Sequence, residues 1–184
     1  MMLQNLSTEF QEKLTKIRLL LLDVDGVLTD GKLYFSEDGQ ELKSFHTLDG
    51  HGIKMLRKSG VEVGIITGRS SGLVAKRAAD LGITLLIQGR EDKFVAMQEL
   101  LKEFPCELDH IAFMGDDYPD LTVMTQVGLA FCVPNAAPAV CEIAHWQSER
   151  QGGCGAVREA CDMIMLAQDT YQFALNQYLD SANG

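Results

Sequence analysis

The sequence predicts an α/β fold, a parallel sheet with helices on both faces. Three observations carry this. Short apolar runs of strand length alternate with amphipathic runs of helix length. Runs such as 17–22 and 61–66 are rich in leucine, isoleucine or valine, as strands covered on both faces are. Polar clusters directly follow several of these runs, at the edge where open α/β sheets bind ligands.

The elements follow in order. Leu6, Phe10, Leu14 and Ile17 recur at helical spacing, with Ser7 placed as N-cap. The first strand ends at Leu22. Residues 32–45 hold two short alternating segments around Asp38-Gly39, a hairpin signal. A helix over 52–59 stops before Gly60, and a strand over 61–66 follows. The helix over 71–81 closes at Gly82. A strand over 84–87, a helix over 92–104 and a strand over 111–114 continue the rhythm. Pro119 suits the first turn of a helix over 119–126. A strand over 129–133 and a short helix over 137–143 come next. Gly152-Gly153-Cys154-Gly155 reads as a flexible loop, and a last helix runs from Ala156 toward Leu179. No repeat or linker is visible, so a single domain over 1–184 is expected, with the hairpin at about 32–45 as its one insertion.

Composition narrows the function. The 184 residues are 46% hydrophobic, enough for one full core. The net charge is −10 and no basic run exists, which argues against a nucleic-acid backbone as partner. No stretch is apolar and long enough to span a bilayer, and Glu9, Glu12 and Lys13 interrupt any signal-peptide layout. Five cysteines without a C-x-x-C pair read as free thiols in a reducing cytoplasm, with no zinc spacing among them.

Four clusters fall at strand ends. In Asp23-Val24-Asp25-Gly26, two acids at i and i+2 point the same way from an extended chain. One carboxylate can attack as a nucleophile while the other carries a proton; a local Asx turn is the simpler alternative. In Thr67-Gly68-Arg69, a hydroxyl and free N–H groups suit phosphate oxygens, against plain helix capping. Lys93 opens a helix, where a cation opposes the macrodipole, so it either serves a site or is merely solvated. In Gly115-Asp116-Asp117-Tyr118-Pro119-Asp120, Asp116 can ligate a hard cation. Asp117 and Asp120 suit an acidic first turn. Bringing Asp23, Asp25 and Asp116 to one edge calls for a shared proton or cation. Adding Thr67 and Lys93 as phosphate donors makes a phosphoryl-transfer site built on positioning and charge neutralisation.

In that order, these motifs resemble those of the haloacid dehalogenase phosphatase superfamily, over nearly the whole chain. Further segments are similar to the 3-deoxy-D-manno-octulosonate 8-phosphate phosphatase family: Gly39-x-Glu41-Leu42-Lys43-x-Phe45-His46, Asp49-Gly50-x-Gly52-Ile53, Leu81-Gly82-Ile83 and Gly152-Gly153-x-Gly155-Ala156-Val157-Arg158-Glu159. The resemblance implies a Rossmann-like core without a large cap domain. It also implies a hairpin that joins neighbouring subunits in a homotetramer whose interfaces close the active sites. Its further implications are Mg²⁺ as cofactor and a role in lipopolysaccharide precursor synthesis in a Gram-negative cytoplasm. Two positions depart from many relatives, Leu48 and Cys154, each standing where a basic residue is common.

The expected roles are these. Asp23 attacks phosphorus and forms an aspartyl-phosphate. Asp25 protonates the leaving sugar oxygen and then deprotonates the hydrolytic water. The Asp23 and Asp116 carboxylates bind Mg²⁺ and, by resemblance, so does the Asp25 backbone carbonyl, with Asp120, or alternatively Asp117, orienting that shell. Thr67, Gly68 and Lys93 hold the phosphoryl group. By resemblance, His46, Thr47, Leu48, Asp49, Gly50, Lys54, Arg69 and Arg77 are candidates for substrate contact, together with Asp25 and Lys93. Lys54 and Arg77 can equally be solvated helix faces. Two rivals stand beside this reading. One is a phosphatase for a nine-carbon 2-keto sugar acid 9-phosphate. The other is a non-catalytic assembly or regulatory module, for which Asp23, Asp25, Thr67, Lys93 and Asp116 would have no use.

Overall fold

Ser7 caps the first helix, α1 (Thr8–Lys16), its hydroxyl accepting from Phe10 N at 3.2 Å. In the computed structural model, which describes residues 6–180, Phe10 and Leu14 turn inward from this helix. The chain then enters β1 (Leu19–Leu22), four buried leucines. Side chains alternate across a strand. Accordingly Leu20 and Leu22 join the core cluster on one face of the sheet, and Leu19 and Leu21 the cluster on the other.

The short strands β2 (Tyr34–Phe35) and β3 (Glu41–Leu42) form a separate antiparallel hairpin. After it come α2 (Thr47–Lys58), β4 (Glu62–Thr67), α3 (Gly72–Leu81), β5 (Leu85–Gln88), α4 (Lys93–Glu103) and β6 (Ile111–Gly115). The remainder is α5 (Leu121–Met124), β7 (Leu129–Cys132), α6 (Pro138–Ile143), β8 (Trp146–Gln147), α7 (Ala156–Ala167) and α8 (Tyr171–Asp180). The main sheet has six strands in the order β5-β4-β1-β6-β7-β8, every pair parallel. The predicted α/β class and the hairpin are both observed. Leu22 pairs with Ile65 on one side and Met114 on the other. That register brings the carboxyl ends of β1, β4 and β6 level, so the residues after them share one edge.

Several local expectations are corrected. Helix α2 starts at Thr47, five residues before the expected 52, because the His46 ring caps it by accepting from Leu48 N at 3.2 Å. Its two glycines are demanded by packing. A Cβ on Gly50 would lie 2.2 Å from Arg77, and one on Gly52 would lie 2.7 Å from Arg158. The expected helix over 119–126 is a 3₁₀ turn at Tyr118–Asp120 followed by the single turn of α5. The last helix is two, separated where Asp169 takes a left-handed φ of 56°. Strand β8 leaves no mark in the sequence pattern, because two residues are too short for a periodic signal. The loop at 152–155, expected to be flexible, is packed against the loop after β1. Gly153 N donates to Val27 O at 2.9 Å, and a Cβ on Gly152 would meet Gly26 O at 1.6 Å. Among the described residues no helix is long and apolar enough to cross a membrane.

Candidate active site

Asp23 is the first residue past β1, pinned by its N–H donating to Met114 O at 3.0 Å. The chain then closes a tight turn in which the N–H groups of Leu28 and Thr29 donate to Val24 O at 2.9 and 3.0 Å. Gly26 in this turn has φ 97°, and a Cβ there would sit 2.0 Å from Asp116 Oδ2. Only glycine lets the carboxylate after β6 reach over the loop after β1.

Asp116 lies in a second turn organised by Asp120, which is completely buried. Asp120 Oδ2 accepts from the N–H groups of Asp116 and Asp117 at 2.9 and 3.1 Å. Its Oδ1 lies 2.5 Å from Lys93 Nζ. Lys93 Nζ in turn lies 2.8 Å from Asp23 Oδ1. One buried ammonium thus bridges the clusters after β1 and β6. Asp117 is the exposed cap of the 3₁₀ turn, accepting from Tyr118 N at 2.8 Å.

Asp23, Asp116 and Asp120 each present an oxygen within 4.8 Å of the others. Burial pushes the Asp23 carboxyl up to about 6, with Asp120 adding to the rise and Lys93 opposing it. Asp116 rises to about 8, from burial first and then from the charges of Asp23 and Asp120. Burial alone would depress Lys93, but the two carboxylates on it outweigh this and hold it above the ordinary lysine value. Asp116 Oδ1 is buried with no hydrogen-bond partner. Three crowded carboxylates, a single lysine and an orphaned oxygen fit a small hard divalent cation, which takes a few carboxylate oxygens and keeps waters for the remainder.

The Asp25 carboxylate turns away from that trio. It is ion-paired to Lys43, and its Oδ2 lies 3.9 Å from Arg69 Nε. Arg69 Nη2 reaches Glu41 Oε1 at 2.9 Å. Thr67 is buried at the end of β4, its carbonyl accepting from Arg90 N at 3.2 Å, and Gly68 follows. The clusters after β1, β4 and β6 and Lys93 therefore meet at one sheet edge.

The substrate candidates divide. His46 is occupied as the α2 cap, while Thr47 and Leu48 are exposed. Asp49 is buried, and its two oxygens accept from Gly155 N at 3.3 Å and Arg158 N at 2.8 Å, capping α7. Burial nevertheless raises its carboxyl above the ordinary range, against those two N–H groups. Gly50 is the contact point of Arg77, which donates to His46 O at 3.2 Å and stacks 5.7 Å over Phe45. Lys54 is exposed and lines a shallow surface pocket with His51, Arg57 and Tyr178, apart from the strand-end clusters. Another surface cavity, bordered by Arg18, Phe104 and His110, sits at the amino ends of β1 and β6, away from this chemistry. Sequence reasoning passed over Glu41 and Lys43 as site residues. The signal was present in the alternation of β3, which puts both on one face.

Residues 86–157 match the model of the haloacid dehalogenase-like hydrolase family. A 3-deoxy-D-manno-octulosonate 8-phosphate phosphatase from Yersinia pestis is 48% identical over 163 residues, 89% of this chain and 87% of its own length. The chain belongs to this phosphatase family. The family's Escherichia coli K12 member is 44% identical over 171 residues, 93% of this chain and 91% of its own. A solved family structure from Moraxella catarrhalis, in complex with a magnesium ion, a phosphate ion and KDO, is 39% identical with TM-score 0.90, covering 92% of this chain and 98% of its own. A probable yrbi family phosphatase from Pseudomonas syringae pv. phaseolica superposes with TM-score 0.91 at 50% identity, covering 94% and 98%.

Proposed function

We propose that this chain is a Mg²⁺-dependent phosphatase that hydrolyses 3-deoxy-D-manno-octulosonate 8-phosphate to the free sugar acid and phosphate, in lipopolysaccharide precursor synthesis. The carrying observation is the separation of two carboxylates. Asp23 sits in the buried trio on Lys93, while Asp25, two residues on, is held outside it by cations of its own. Two carboxylates in such different surroundings can take two different roles.

Asp23 attacks phosphorus; a P–O bond forms to its carboxylate as the bond to the sugar oxygen breaks. Asp25 gives its proton to that departing oxygen. It then takes a proton from water as the water oxygen attacks phosphorus, which releases phosphate and restores Asp23. The Thr67 hydroxyl, the Gly68 N–H and the Lys93 ammonium hold the phosphoryl oxygens. Asp120 keeps Lys93 and the Asp116 loop in place from beneath. The Asp23 and Asp116 carboxylates and, by family resemblance, the Asp25 carbonyl would hold Mg²⁺, which when bound would offset the charge of the phosphoryl group. Of the substrate candidates other than Asp25 and Lys93, Arg69 approaches this chemistry through Asp25, and Thr47 and Leu48 are exposed.

The same proposal includes one domain over 1–184, whose residues 1–5 and 181–184 lie outside the described residues, and a cytoplasmic homotetramer. The hairpin region supports assembly: Leu33, Tyr34, Phe35 and Leu42 are 48%, 40%, 62% and 59% exposed, too much apolar surface for a two-stranded excursion in water. Light scattering that finds a fully active monomer would remove the assembly part. The function is tested by phosphate release from a panel of keto-sugar acid phosphates, with Mg²⁺ and with EDTA. The eight-carbon 8-phosphate is expected to lead in kcat/KM, and EDTA to stop turnover. Preference for the nine-carbon 9-phosphate would reassign the substrate, and no hydrolysis of any phosphate would refute the enzyme.

A further inference from the structure

Strand β3 is amphipathic in the wrong direction. Leu42 points outward, 59% exposed, while the charged neighbours Glu41 and Lys43 point inward. The Lys43 side chain is only 2% exposed, although residues 31–40 around it are exposed throughout. A buried ammonium is costly unless paired, and Lys43 is paired to Asp25 Oδ1, with Glu41 Oε1 at 3.7 Å. Arg69 closes the circuit, 3.9 Å from Asp25 Oδ2 and 2.9 Å from Glu41 Oε1. Two cations and two anions thus form a closed network around the Asp25 carboxylate. It joins the hairpin to the loops after β1 and β4.

Lysines are divided between the two aspartates. Lys93 holds Asp23 and Lys43 holds Asp25. Without Lys43, the Asp25 carboxylate would keep only the looser approach of Arg69, at 3.9 Å from its Oδ2. We infer that Lys43 is a positioning residue: from the hairpin, it fixes the Asp25 carboxylate in the orientation that proton transfer to the leaving oxygen and from the attacking water requires. This rests on the phosphatase reading above. It makes the hairpin a working part of the site as well as an assembly surface.

The test compares Lys43→Met and Lys43→Arg with wild type in the full-length protein with Mg²⁺. Two substrates are used, the sugar phosphate and p-nitrophenyl phosphate, whose leaving group needs no proton. A misplaced proton carrier should lower kcat on the sugar phosphate about 10- to 100-fold in Lys43→Met, the scale of a roughly 1 Å misplacement. KM should stay within about threefold, since ground-state binding is not what is lost. On the aryl phosphate the first step survives but hydrolysis of the aspartyl-phosphate does not. Rapid mixing should therefore show a burst of nitrophenolate, about one per site, before slow turnover. Lys43→Arg, which keeps the cation, should recover most of the kcat. A change confined to KM, equal losses on both substrates without a burst, or unchanged kcat in Lys43→Met would each overturn the inference. If Lys43→Met fails to fold by circular dichroism, Lys43→Gln is read by the same criteria. Inactivity of the wild type on every phosphate refutes the phosphatase reading, whereas an active wild type matched by Lys43→Met refutes only the role of Lys43.

Discussion

Replacing Asp116 with asparagine is expected to stabilise the metal-free protein at alkaline pH while removing its response to Mg²⁺. The wild-type carboxyl holds its proton up to about pH 8, against 3.8 for an unperturbed aspartate. The native state therefore binds a proton that the unfolded chain has released. The stability contributed by this group is largest below about pH 4, falls as pH rises, and is gone above about 8. At about 1.4 kcal/mol per pH unit the Asp116 contribution is on the order of 5 kcal/mol. For a chain of this size that is a melting-temperature loss on the order of 10 °C between pH 4 and pH 8.5. Asparagine keeps the shape that rests on Gly26 and cannot ionise. The assay is thermal unfolding in EDTA and in excess Mg²⁺ at several pH values. Wild type in EDTA should lose stability with pH more steeply than the variant. Mg²⁺ should restore wild type increasingly toward alkaline pH, since it takes the place of the proton, and leave the variant unmoved. Parallel pH profiles for the two proteins in EDTA, or equal stabilisation of both by Mg²⁺, would refute the reasoning.

Asp23→Asn is expected to abolish phosphate release while the protein still folds, because the amide keeps the contacts of a buried side chain but cannot attack phosphorus; near-normal turnover in the purified variant would sink the nucleophile. Asp49→Ala is expected to cost about 2–4 kcal/mol in urea unfolding, since it strands the N–H groups of Gly155 and Arg158; a loss of activity at unchanged stability would make Asp49 a substrate contact instead. Gly26→Ala is expected to raise the Mg²⁺ concentration needed for half-activation, because its Cβ would intrude to 2.0 Å from Asp116 Oδ2; an unchanged Mg²⁺ titration would contradict that close approach.

The strand-end clusters were legible because polar groups there interrupt apolar runs, and nothing distant is needed to see this. Asp23 and Asp116 follow β1 and β6 in that way, and Thr67 ends β4. Asp120 was harder. Its spacing suits the first turn of a helix, but the 3₁₀ geometry folds it back under the loop, where it accepts from Asp116 and Asp117 and grips Lys93. Asp49 carried a family-based expectation of substrate contact, whereas its carboxylate meets a helix end 106 residues away in sequence. No local pattern reports such a contact. The first turn of α2 is hidden in the sequence because Gly50 and Gly52 are poor helix formers. The reason for them, room for Arg77 and Arg158, is tertiary. Lys43 illustrates the same boundary: alternation gives its face but not the loop over which that face folds.

The loop at 152–155 has a consequence for how the protein matures. Its backbone lies directly on Gly26 and donates to Val27, bracing the turn that carries Asp23 and Asp25. At its end Gly155, and in the next helix Arg158, are tied to Asp49 at the head of α2. The turn that carries Asp23 and Asp25 is thus made well before the loop that braces it. A nascent chain that already carries Asp23, Asp25, Lys93 and Asp116 still lacks the clamp on this turn. Proteolytic loss of α7 would silence the enzyme without touching a residue that meets phosphate.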